Sequence, residues 1–187
     1  MGKSKMKILT VAFIAIVITL FSQGTLAYYS TVGTATNVVT SGEIKFIIHE
    51  RTDQGTDFPK EGVYVKPGDI VSKEVSVENI CKHPFYLRVK LVYGSDNAEL
   101  TAEECLKLNI DTENWQYHDG WYYYKGIVQP GITTPEVFSK VEIVGDKITT
   151  EHIGDMMELT VVAHAVQSKN NPVSGTATYQ AAGWPEE

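Results

Sequence analysis

Five histidines, two cysteines and a run of Trp and Tyr are the residues of this chain whose types could do chemistry. His49, His83, His118, His152 and His164 show neither HExxH nor another paired metal-ligand spacing, which disfavours a zinc protease of that type. His118-Asp119 has the types for an acid/base pair, but Gly120 follows, and Asp-Gly is favoured in hairpin turns for its backbone geometry. No G-x-S-x-G elbow, phosphate-binding loop or dinucleotide glycine fingerprint occurs. The expectation is a protein that is not an enzyme, with no catalytic residue, no metal site and no cofactor.

Cys81 and Cys105 lie 24 residues apart, and bridging a loop of that size is worth about 3 kcal/mol in the entropic view of disulfides. A bridge between them and two buried free thiols are both compatible with the sequence. The aromatic cluster Trp115, Tyr117, Trp121, Tyr122, Tyr123 and Tyr124 could form a sugar-binding platform or a subunit contact. Alternation sends Trp121 and Tyr123 to one face and Tyr122 and Tyr124 to the other, so half the cluster belongs to a core. Trp115, Tyr122 and Tyr124 are the candidate surface rings, with glycan binding as an alternative function to be weighed against simple packing.

The elements that must position these groups are strands. Hydrophobicity alternates with a period of two over residues 43–49, 70–79, 85–93, 137–144 and 156–166, which places successive side chains on opposite faces. On 70–79, Val71, Val75 and Val77 share a face with Lys73; on 85–93, Phe85, Leu87, Val89, Leu91 and Tyr93 face a core while Tyr86, Arg88, Lys90 and Val92 face outward. Residues 51–62 read as loop. Pro67-Gly68 calls for a type II turn, Asp119-Gly120 for a hairpin, and Gln129-Pro130-Gly131 for another break. Thr101 with Glu104 has capping-box spacing, predicting one short helix to about Lys107. Many short strands, Gly-centred turns and a single helix predict an all-β fold, an antiparallel two-sheet sandwich of jelly-roll-like or Ig-like topology.

The first residues carry a different signal. Lys3, Lys5 and Lys7 precede an apolar run at 8–21, 14 residues long. That is short of the roughly 20 needed to span a bilayer. Small residues at Thr25 and Ala27 then match what a signal peptidase reads, so cleavage is expected between Ala27 and Tyr28. This divides the chain into a signal helix at 1–27, an N-terminal segment at 28–41 and a sandwich domain at 42–187; an uncleaved signal anchor is the alternative. Cleavage removes three lysines and no acid, moving the formal charge from −7 to −10. An acidic chain without a basic run is not expected to bind nucleic acid. No cysteine stands near the cut for lipidation, and residues 181–187 carry no apolar sorting tail. Membrane contact is thus expected only in transit. The segment 28–41 is Thr-rich and β-prone, and Tyr28, Tyr29, Val32, Val38 and Val39 are its candidate assembly residues, able to add a strand to a neighbour's open sheet edge. An ordinary first strand or a frayed end is the simpler alternative.

Four stretches together resemble a known family. They are Gly24-Thr25-Leu26-Ala27-Tyr28-Tyr29, Ala35-Thr36-Asn37 through Ser41-Gly42-Glu43-Ile44, Val65-Lys66-Pro67-Gly68-Asp69 with the strand ending Glu78-Asn79, and Asp119-Gly120-Trp121-Tyr122-Tyr123-Tyr124 followed by Gln129-Pro130-Gly131. In this order they resemble the exported proteins with SipW-dependent signal peptides, the TasA and camelysin group of Gram-positive biofilm matrix proteins. The resemblance implies a jelly-roll sandwich, a dedicated SipW-type signal peptidase as partner, a place in the extracellular matrix or on the cell surface, and fibres built by donating the N-terminal strand to the next copy or a related matrix subunit. Camelysin-like members also bring a surface metalloprotease activity as an alternative, for which this sequence offers no ligand set.

Overall fold

The computed structural model describes the backbone of residues 36–38 together with residues 44–148, 152 and 154–185. Among the described residues nine strands form two sheets: β1 (Thr36–Val38), β2 (Phe46–Arg51), β3 (Ile70–Asn79), β4 (Phe85–Ser95), β5 (Leu106–Leu108), β6 (Trp115–His118), β7 (Trp121–Tyr124), β8 (Phe138–Ile143) and β9 (Met157–Gln167). One sheet has the order β1-β9-β4-β7-β6, the other β2-β3-β8-β5. Every pairing is antiparallel except β1 with β9, which is parallel. The all-β two-sheet sandwich read from the sequence is the observed architecture.

Alternation explains the inner faces. β4 and β9 pair along their full length, from Phe85 opposite Gln167 to Ser95 opposite Met157. Phe85, Leu87 and Val89 interleave there with Leu159, Val161 and Ala163, all fully buried against Val75, Val77, Val141 and Ile143 of the opposing sheet. The turns follow from their residues. Asp69 donates its backbone N–H to Lys66 O at 3.0 Å with Gly68 at φ +89°, a backbone conformation that glycine adopts without a Cβ clash. Asp119 and Gly120 both have positive φ, +45° and +81°, which makes the β6–β7 hairpin the tight two-residue type.

Two readings need correction. The helix α1 spans only Ala102–Cys105, and Thr101 caps it with its carbonyl, which accepts from Glu104 N–H at 2.9 Å, while its side chain makes no cap hydrogen bond. The next residue, Leu106, is buried and pairs with Ile143 on β8, so strand pairing ends the helix before Lys107. The second correction concerns β4, whose Tyr86 and Arg88 are buried at 5% and 7% exposure where the alternation sends them to solvent. Residues 168–185 cross the outer face of this sheet and cover its part around Tyr86 and Arg88. They build a second, smaller cluster in which Tyr86, Val166 and Ala181 pack with Val173 and Trp184. No helix among the described residues is long and apolar enough to cross a membrane.

Candidate functional site

The outer edge of β9 is the least paired long strand edge in its sheet among the described residues. On its β4 side β9 is paired along all its residues; on the other side pairing is confined to Thr36–Val162, Asn37–Ala163 and Val38–His164. Leu159, Thr160 and Val161 have no strand beside them on that side among the described residues. A strand edge of this kind presents unpaired backbone groups to any extended segment. Of the candidate assembly residues, Val38 lies in β1, at the register position of His164. Tyr28, Tyr29, Val32 and Val39 lie outside the described residues, as does the cleavage position at Ala27 and Tyr28.

The candidate surface rings are placed differently from the sequence reading. Trp115 is 1% exposed, meets Tyr124 at a tilt with centroids 5.4 Å apart, and belongs to the main core, against which Tyr122 and Tyr124 also pack. The cause is register. Tyr122 opposes Val89 on β4, which faces the other sheet, so Tyr122 and Tyr124 turn inward and draw Trp115 with them. These three rings are therefore not an exposed platform. Tyr117, opposite Tyr122 and 65% exposed, is the open ring of the cluster. Burial comes first in pushing the Tyr93 hydroxyl up to about 12, with Tyr122 and Glu103 adding to it. The Tyr122 hydroxyl is raised likewise, by burial and then by Tyr117 and Glu103.

The outer face of the same strands carries the constellation that sequence reasoning missed. The Arg88 guanidinium lies 3.9 Å from the Trp121 ring centroid and 5.0 Å from that of Trp184. Its Nη2 donates to Pro185 O at 2.7 Å and is 3.0 Å from His164 Nδ1, and Nη1 donates to Tyr123 Oη at 3.2 Å. Tyr179 stacks on His118 at 4.2 Å and meets Tyr123 edge-on, while Gln116 Nε2 donates to Thr176 O. Asn171 completes the fastening by accepting from Ala182 N–H and donating to Ala182 O, both at 2.9 Å. The available signal was an arginine flanked by leucine and valine in a core strand, together with Tyr179 and Trp184 in a tail otherwise poor in aromatics. Planar guanidinium and indole groups stack well.

The two cysteines are free thiols, one of the two arrangements weighed for Cys81 and Cys105. Cys105 is buried on α1, where burial pushes its thiol up. Cys81 is only half-buried and donates to His83 O at 3.1 Å, so it is held by its own loop. His118 Nε2 sits 3.2 Å from the Asp119 carboxylate, whose side chain is 88% exposed at the hairpin tip, a turn geometry as read from Asp-Gly. A recess of about 400 Å³ is lined by Asn109, Asp111, Glu136 and Ser139 among others. Its Asp111 carboxyl is held below the usual range by the Asn114 side chain, opposed by burial and assisted by backbone N–H groups and Lys125, so it is occupied by its own turn. Among the described residues no three His, Cys, Asp or Glu side chains cluster as a metal would require. No protein-family model matches the chain, and no curated protein sequence matches it.

Proposed function

We propose that this chain is an exported, non-enzymatic surface or matrix subunit that assembles by passing its N-terminal strand to the β9 edge of another copy. One observation carries the reading: the edge of β9 is filled by a three-residue strand from the N-terminal segment itself. What an intramolecular strand occupies, the same segment of a neighbour fits equally well, because backbone pairing gives most of the affinity in strand addition. The tethered strand competes at a high effective concentration, so exchange is favoured by high protein concentration or by anything that detaches β1. The basic-then-apolar start, the expected cut between Ala27 and Tyr28 and the resemblance to SipW-dependent TasA and camelysin proteins support export by a SipW-type peptidase. The same resemblance supports a place in the matrix or on the surface of a Gram-positive cell, with self-association or related matrix subunits as partners.

Electron microscopy of residues 28–187 tests this directly. Fibres are expected from that protein at high concentration and none after deletion of residues 28–41. Monomers alone at every concentration would overturn the reading, and so would fibres that form equally well without the segment.

A further inference from the structure

Lys73 is fully buried on the core-facing side of β3, in an irregular stretch between Ser72 and Val75 where the register with β8 shifts. Its Nζ lies 3.2 Å from Oε1 of Glu50, whose side chain is 13% exposed on the adjacent strand β2. The two atoms approach outside ideal hydrogen-bond geometry, and neither makes a hydrogen bond to another group among the described residues. The Phe58 ring covers the ammonium at 4.9 Å. Burial pushes the Lys73 ammonium below the ordinary lysine value, opposed first by the charge and close polar contact of Glu50 and then by the charge of Glu158. A charge pair in this setting bears a desolvation cost that several good hydrogen bonds would normally offset, and here Glu50 is the one polar contact the ammonium has among the described residues.

We propose that Lys73 and Glu50 are the site of an intramolecular amide cross-link between β2 and β3, the lysine Nζ condensing with the side-chain carboxyl. The ammonium first passes a proton to the carboxylate, which removes both buried charges. The freed amine attacks Cδ, the bond from Cδ to the protonated oxygen breaks, and that oxygen leaves as water with a second proton from the nitrogen. Nothing is oxidised or reduced, and no co-reactant is consumed. Adjacent antiparallel strands hold the two groups in contact, and such fixed placement is worth effective molarities on the order of 10⁵–10⁸ M. The product is a neutral amide in place of two buried ions. It ties β2, which among the described residues has a partner strand on one side only, to the sheet interior.

Mass spectrometry of the reduced, denatured full-length protein tests the cross-link whether or not the protein forms fibres. The expected intact mass is one water below that of the sequence. Trypsin then fails to cut after Lys73, and a branched peptide joins residues 46–51 to residues 61–82. Lys73→Met restores the full mass. An unmodified mass with free Lys73 and Glu50 peptides overturns the proposal, and so does a water loss that maps to a succinimide at Asp119-Gly120.

Discussion

Arg88 and Tyr93 show at the residue scale how a side chain's chemistry follows from what covers it. Both lie on β4, and strict alternation gives one to solvent and the other to the core. Arg88 is nevertheless the more deeply covered, because its fork of donors finds His164, Tyr123 and Pro185 while two indole rings cover its faces. Tyr93 is only half-buried, yet burial, Tyr122 and Glu103 keep it protonated to about 12 against an ordinary 10.0. The folded protein thus keeps a proton that the unfolded chain releases first. That contribution to stability is intact below about pH 10 and declines as pH rises from 10.0 to about 12. Denaturant titrations across this range are expected to show a fall in stability that becomes shallower with Tyr93→Phe. An identical alkaline fall in the variant would place the effect elsewhere.

The segment at 168–185 shows the same principle at the scale of an element. It has one short 3₁₀ turn, at Thr178–Gln180, and otherwise follows an irregular path. It is held by Asn171 on Ala182, Thr178 Oγ1 on Tyr124 O at 2.8 Å, and Arg88 on Pro185 O. Arg88→Ala removes the last of these and leaves Trp121 and Trp184 without the group between them. The expected cost is about 3 kcal/mol, as for truncating a buried, hydrogen-bonded charge. Limited proteolysis with trypsin should then cut after Lys169 markedly faster than in the parent protein. Equal cleavage rates would mean that the strap is held without Arg88. The helix α1 teaches the converse: its cap spacing is legible in Thr101 and Glu104, but the pull of Leu106 into the sheet decides its length.

For the whole molecule the deciding feature is an unequal closure of the sandwich. β9 is one of the two longest strands and sits next to the edge of its sheet, shielded there by three residues. If this edge accepts a neighbour's strand, a free peptide of residues 28–41 should compete for it. The expected results are slower fibre growth with added peptide, and restored growth when the peptide carries a proline at Asn37, opposite Ala163, where a ladder position would lose its N–H. Inhibition by both peptides alike would point to contact outside the strand edge.

Local chemistry made most of the sandwich legible in the sequence. A period of two names the inner face of β4 and β9, and Pro67-Gly68 and Asp119-Gly120 impose backbone angles whatever surrounds them. Lys73 could be placed on the core face of β3 for the same reason, although its ion partner could not, since Glu50 comes from another strand. The candidate site was less legible. Trp115, Tyr122 and Tyr124 turned inward because the β4–β7 register is a pairing between distant segments, and the choice between a bridge and free thiols at Cys81 and Cys105 depended on where a loop and the end of α1 came to rest. Only tertiary structure could bring residues 168–185 over Arg88 and set β1 parallel to β9. Alternation tells which side chains share a face, but the choice of what covers that face is made by the surfaces that remain once the local elements have formed.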